Sequence, residues 1–109
     1  MTKTARVYGG SLYDLAAEEK LDGQIMEQMI AVRQIFRENP GYLKLLGEPA
    51  IPENERLKMI EEAFGGQAER YLVNFLKLLC ERKILREFAG CCEEFIRRST
   101  VHMELRRQW

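Results

Sequence analysis

The chain of 109 residues has little of what most catalytic sites need: it contains one histidine, one tryptophan and no excess of either charge. The histidine, His102, lies near the C-terminus beyond the last convincing apolar pattern, and nothing around it supplies partners for acid–base chemistry. Seventeen basic and seventeen acidic residues cancel, whereas nucleic-acid binders usually carry a clustered basic excess. These shortages argue against an enzyme and against nucleic-acid binding.

Long apolar runs are also missing. The longest spans only a few residues, far short of the roughly 20 that a transmembrane helix needs. Residues 1–20 carry acidic groups and lack the apolar core of a secretory signal. We therefore expect no direct membrane insertion and a bacterial cytoplasmic setting.

Cysteine is scarce and its spacing carries no signature. Cys80, Cys91 and Cys92 are odd in number, which does not suggest a disulfide framework. Two adjacent residues on a helix point in different directions, so Cys91 and Cys92 cannot chelate one metal ion as a CxxC pair can. The sequence predicts core packing for all three, with no metal and no cofactor.

Proline is confined to positions 40–52, where Pro40, Pro49 and Pro52 lie. Because proline belongs at a helix start or in a turn, this stretch predicts a helix stop, a short helix capped by Asn39, a break, and a helix start at Pro52. Glycines at 47 and at 65–66 are expected to end helices. No strict apolar alternation predicts a strand.

The pattern predicts an all-α fold, a compact six-helix bundle. The helices are expected at about residues 4–19, 22–38, 39–46, 52–64, 67–82 and 84–98. A helical domain would occupy residues 1–98, followed by a polar, frayed tail at 99–109. Gly9 and Gly10 lie inside the first helix, where each glycine costs about 1 kcal/mol relative to alanine. Either close helix packing offsets that cost, or this helix is locally soft.

The fifth helix is apolar over more than one face. Leu72, Phe75, Leu76 and Leu79 fill an inner stripe, and Tyr71 and Leu78 widen it to one side. Such a helix is either buried on several sides or lends surface to a partner.

A candidate surface for a partner lies where the first and fifth helices meet. Tyr8 and Leu15 flank the core face of the first helix, with Ser11 between them. Leu78 is ringed by polar side chains of the fifth helix: Asn74, Lys77, Glu81 and Arg82. An apolar ridge with a charged rim suits an amphipathic helix laid in a groove. The alternative is that Leu78 packs under the tail or the first helix.

Several segments, in order and spacing, resemble the δ subunit of bacterial F-type ATP synthases, whose mitochondrial counterpart is the oligomycin-sensitivity-conferring protein. They are Ala5-Arg6-Val7-Tyr8, residues 12–16, Asn39-Pro40, Pro49-Ala50-Ile51-Pro52, Phe64-Gly65-Gly66 and residues 74–82. The resemblance covers about residues 5–98.

That resemblance implies a six-helix N-terminal domain in the peripheral stalk, on top of the catalytic head. It implies that a groove of the first and fifth helices binds the amphipathic N-terminal helix of an α subunit. By matching positions, the contact would involve Tyr8, Ser11, Leu12, Leu15, Asn74, Leu78, Glu81 and Arg82. Members usually carry a second, smaller domain that meets the b subunits, so we expect this chain to correspond to the N-terminal domain alone.

Two other hypotheses remain open from the sequence. One is a different helical adaptor, an RNA- or protein-binding bundle of the antitermination-factor kind, which should show a basic stripe and salt-sensitive binding. The other is a thiol-based redox or metal protein, which should depend on its cysteines.

Overall fold

Six α-helices make up most of the chain that the structure describes. The computed structural model describes the backbone of residues 1–107 and the side chains of residues 1–101. The helices are α1 (Lys3–Glu18), α2 (Asp22–Glu38), α3 (Pro40–Leu46), α4 (Glu53–Phe64), α5 (Arg70–Glu81) and α6 (Phe88–Arg107), with a 3₁₀ turn at Leu85–Glu87 before α6. No strand occurs among these residues. The Cα radius of gyration is 14.1 Å, close to the roughly 13 Å of a compact domain of this size. The predicted all-α, six-helix fold is confirmed.

The proline-rich segment behaves largely as its residues predict. Pro40 opens α3, and Gly47 and Gly65 follow the ends of α3 and α4. The predicted side-chain cap by Asn39 is wrong, because its Nδ2 donates to the Ile35 carbonyl at the end of α2 instead. The backbone carbonyl of Asn39 accepts the first N–H groups of α3. Asn39 therefore closes α2 with its side chain and opens α3 with its main chain.

A buried arginine holds the connection between α3 and α4. Arg56 donates through Nε to the Ile51 carbonyl at 3.1 Å and through Nη1 to the Leu46 carbonyl at 3.4 Å. A proline-rich loop leaves carbonyls without helical partners, and a buried unpaired carbonyl is costly. The guanidinium satisfies two of them and thereby orders the loop.

Two lysines close helices in a conformation that glycine usually adopts. Lys20 and Lys83 have φ values of 59° and 60°. At the end of α1 the Leu21 N–H donates to the Ala16 carbonyl and the Lys20 N–H to the Ala17 carbonyl, which is the Schellman arrangement. Lys83 ends α5 in the same way, which is why that helix stops before the predicted position 82.

Helix α6 differs most from prediction. The expected end at Arg98 is wrong, because the helix continues to Arg107. Ser99 is buried, so the first residue of the predicted frayed tail packs against the bundle. No glycine or proline follows Gly90, so nothing in the backbone stops the helix. The division between a domain at 1–98 and a tail at 99–109 stays a prediction, and residues 108–109 lie outside the described part.

Candidate partner-binding groove

An apolar groove of about 490 Å³ runs between α1 and α5. We call it the α1–α5 groove, and it is lined by Val7, Tyr8, Ser11, Leu12, Leu15, Tyr71, Asn74, Phe75 and Leu78. Four of these residues belong to α5: Tyr71, Asn74, Phe75 and Leu78. Their spacing of i, i+3, i+4 and i+7 places them on one face of the helix. The groove therefore follows directly from two apolar helix edges that lie side by side.

The floor of the groove is sealed and its rim is open to water. Leu12 and Phe75 form the floor and expose only 4% and 7% of their surface. Tyr8 and Leu78 are half-buried, and Leu15 is 36% exposed. Leu78 is therefore not sealed within the core, and neither the first helix nor the rest of the bundle covers it completely. An open strip of apolar surface remains for a ligand to cover.

Six of the eight predicted contact residues line this groove: Tyr8, Ser11, Leu12, Leu15, Asn74 and Leu78. Glu81 and Arg82 do not. Glu81 is the last residue of α5 and Arg82 follows it, so both side chains are exposed beyond the end of the groove. Whether any of the eight contacts a partner stays a prediction.

The sequence reasoning missed Val7, Tyr71 and Phe75 as lining residues. Val7 could have been found, because Val7, Ser11 and Leu15 recur at spacings of four and form one row on α1. Phe75 was assigned to the core, where it is indeed buried, but it also lines the groove. A buried residue that lines a cavity gives no separate signal in the sequence.

Close packing against α6 sets the position of the α1 wall. A Cβ added at Gly9 would lie 2.6 Å from the Cys91 carbonyl oxygen and 2.9 Å from the Cys91 Cα. A Cβ at Gly90 would lie 2.7 Å from the Ala5 Cβ. The glycine in α1 is therefore explained by close helix packing and not by a soft helix.

A buried carboxylate on α6 holds the arginine that reaches α1. Glu94 is 1% exposed, and it accepts hydrogen bonds from Arg97 at 2.7 and 2.9 Å and from the Arg98 Nε at 2.6 Å. Arg98 reaches on to Asp14 of α1 at 3.4 Å. The hydrogen bonds from Arg97, together with those from Arg98, lower the pKa of Glu94 from 4.5 to about 2 against the opposing effect of burial.

The α5 wall is held by a different ion cluster. Glu61 of α4 accepts hydrogen bonds from Arg70 at 2.7 Å and from Lys77 at 2.5 Å, and both cations belong to α5. The bonds from Arg70 and then Lys77 lower the pKa of the Glu61 carboxyl to about 2. Lys77, predicted to ring Leu78, is thus engaged with α4 and does not line the groove. The two walls are fastened to different neighbours, α1 to α6 and α5 to α4.

The groove offers surface and hydrogen-bonding groups for recognition. Among the side chains that the structure describes, the polar ones in its lining are two tyrosines, one serine and one asparagine, with no carboxylate, histidine or cysteine. The three thiols are buried, and burial raises the pKa of Cys91 and of Cys92 to about 12. A thiol is nucleophilic as the thiolate, so these environments oppose the redox hypothesis. Within the described residues, no group of three or more potential ligands could hold a metal ion. The side chain of His102 lies outside the described residues.

In the part of the chain described, no helix has both the length and the apolar character required to cross a bilayer.

Fold and groove together define an all-helical domain with an open apolar surface between two helices. Comparison with known sequences identifies its family. The chain matches the sequence model of the family described as ATP synthase delta (OSCP) subunit over residues 4–107. This protein therefore belongs to the ATP synthase delta (OSCP) subunit family, as its segments indicated.

Individual relatives agree with that assignment. The ATP synthase subunit delta of Lachnoclostridium phytofermentans is 28% identical over 101 residues, which are 93% of this chain and 56% of that protein. Those of Bacillus subtilis and a Geobacillus species are 29% and 34% identical over 86% and 84% of this chain, and over 51% of each relative. The chain thus spans about half the length of the curated relatives it matches.

Proposed function

We propose that this chain serves as the N-terminal domain of a noncatalytic peripheral-stalk subunit of an F-type ATP synthase. Its role is to bind the N-terminal helix of an α subunit and so hold the catalytic head against rotation. It acts at the cytoplasmic side of a bacterial membrane as a peripheral component without inserting, and it uses neither a cofactor nor nucleic acid. Contact with the b subunits belongs to a C-terminal domain outside this sequence.

The observation that carries the proposal is the open α1–α5 groove in a member of this family. A sealed floor with a half-buried rim is suited to receive the apolar face of an amphipathic helix. A stator must hold its partner while torque is applied, which demands slow dissociation. Desolvated apolar anchors inside a polar rim lengthen residence times. Leu78 is the anchor at the α5 edge, with Asn74 and Ser11 as polar groups beside it.

The test is titration with a peptide from the N-terminus of the α subunit of the same organism. We expect saturable 1:1 binding by calorimetry, with amide shifts confined to residues 5–16 and 70–83. Leu78→Asp should weaken binding at least about 100-fold. Covering the part of the Leu78 side chain that is still open to water contributes up to about 1 kcal/mol, and desolvating a carboxylate opposes binding by about 2 kcal/mol or more.

The matched control is Leu45→Asp, which makes the same change at an exposed leucine of α3 outside the groove. It should leave affinity and far-UV circular dichroism unchanged. Equal losses in both variants would contradict the proposal, as would binding that is insensitive to Leu78→Asp while helicity is retained. The family assignment and the balanced charge favour this function over the RNA-binding adaptor.

A further inference from the structure

A second concave surface lies between α2, α3 and the start of α6. It consists of two adjoining cavities of about 210 and 380 Å³ that share Leu43, Leu85 and Arg86 in their walls. No lining residue belongs to the α1–α5 groove. We call it the basic trough, because five cations surround it: Arg33, Arg37, Lys44, Lys83 and Arg86.

These cations stand together without a carboxylate partner among the described residues, although Arg86 donates through Nη1 to the Lys83 carbonyl at 2.9 Å. No carboxylate of residues 1–101 lines either cavity. Among the described residues none of the five forms an ion pair within 4 Å, whereas Arg70, Lys77 and Arg97 do. In a chain with seventeen charges of each sign, this is a local accumulation of one sign.

The accumulation is unfavourable in the free protein. Arg33 and Arg37 are four residues apart on α2, and like charges at that spacing destabilise a helix. Glu87, next to Arg86 in the chain, is engaged by the Thr2 hydroxyl at the start of α1. Glu38, next to Arg37, accepts a hydrogen bond from the Gln34 side chain at 2.8 Å. Both acidic side chains that adjoin a trough cation in the chain thus have partners outside the trough. An anionic ligand would relieve the repulsion.

The floor of the trough is apolar. Leu46 and Leu85 are buried and Leu43 is half-buried. A cationic rim around an apolar floor complements a helix with large aliphatic residues on one face and carboxylates on its flanks.

We infer that the basic trough docks an acidic amphipathic segment of a protein partner, at a site separate from the α1–α5 groove. The trough is concave, so its floor cannot meet a flat lipid surface. Single-stranded nucleic acid is held by exposed aromatic side chains on which bases stack. The aromatic side chains of the trough, Phe36 and Phe88, are buried among the helices. The shape and the apolar floor therefore favour an acidic peptide segment over an anionic lipid surface and over single-stranded nucleic acid.

The probe is a synthetic amphipathic peptide with leucine along one face and glutamate along the other. The matched peptide carries lysine in place of every glutamate. Each is titrated into the full ¹⁵N-labelled chain bearing Leu78→Asp, so that the α1–α5 groove does not compete. We expect shifts at α2, α3 and residues 83–89 with the acidic peptide alone, weakening as salt is raised.

Arg37→Glu and Arg86→Glu should each weaken binding of the acidic peptide at least tenfold. The control is Lys58→Glu on α4, whose side chain is outside the trough and 75% exposed, and it should leave affinity unchanged. Circular dichroism verifies that each variant is folded.

Three kinds of result would overturn the inference. One is equal binding of both peptides, or binding of neither. Another is a set of shifts at α1 and α5 only. The third is that a single-stranded RNA oligonucleotide or a phosphatidylserine vesicle binds with the same dependence on Arg86, which would make the trough a general anion site.

Discussion

Replacement of Gly9 by alanine tests the packing that positions the groove. In an exposed helix, glycine to alanine stabilises by about 1 kcal/mol. At Gly9 the new Cβ would lie 2.6, 2.9 and 3.1 Å from the carbonyl oxygen, Cα and carbonyl carbon of Cys91. These are backbone atoms, so no side-chain rotation relieves the overlap, and one helix must move.

The expected magnitude follows from these two opposing effects. Overpacking of a closely packed site costs about 1–3 kcal/mol, and three contacts with backbone place Gly9 at the upper end. Subtracting the gain in helix propensity leaves a net destabilisation of about 2 kcal/mol. For a domain of this size the melting temperature should fall by about 8 °C.

Gly23→Ala is the matched control, because the same change near the start of α2 meets no atom within 4 Å. It should raise stability by about 0.5 kcal/mol, since the full propensity gain applies only in the helix interior. Urea unfolding followed by circular dichroism gives both values on one scale. Should Gly9→Ala be as stable as the unmodified chain, α1 and α6 do not approach as closely as described. The displaced α1 should also weaken binding of the α-subunit peptide.

Two further predictions concern charge and backbone conformation. Glu94→Gln should destabilise the chain at pH 7 by about 3 kcal/mol, because the folded-state pKa of Glu94 lies near 2, below its value of 4.5 when unfolded. The ionised Glu94 carboxylate contributes its full stabilisation above pH 4.5 and loses it as the pH falls toward 2. The free energies of unfolding of Glu94→Gln and of the unmodified chain should therefore converge near pH 2, and a difference that stays constant with pH would refute this account. Lys20→Gly should raise stability by about 0.5–1 kcal/mol, since it relieves the left-handed conformation at φ 59°, whereas Lys20→Ala should bring no gain in the same thermal melt.

The fold was predictable because turn-forming residues separate helices of clear apolar period. Pro40 and Gly47 bound α3 close to where the structure has it, and the stop after Phe64 was equally clear. The groove was largely predictable for a related reason. Apolar residues beyond the inner stripe, such as Leu78 and Leu15, either pack against a neighbouring helix or stay exposed to solvent, where a partner can cover them.

The remaining features depend on contacts between distant residues. The role of Gly9 requires Cys91, which is far away in sequence, and no local pattern connects them. The continuation of α6 past Arg98 was missed because apolar periodicity fades there, although no residue breaks the backbone. The sequence did not predict that Lys20 and Lys83 end helices, because lysine is not a residue type that indicates a left-handed conformation. Glu94 is followed by Arg97 and Arg98 at helical spacing, which is equally typical of an exposed ion pair, so the sequence does not indicate that this carboxylate is buried.

The separate fastening of the groove walls has a mechanical consequence. The proposed partner helix would lie in the α1–α5 groove. If it were pulled along its axis, it would exert a shear force on both walls of the groove. One load path then runs through α1 into α6, by way of the close contact at Gly9 and the Glu94 cluster. The other runs through α5 into α4, by way of Glu61. With the proposed partner helix bound, the force would be divided between the two paths, neither ion cluster would bear all of it, and the long α6 would carry part of the load away from the groove.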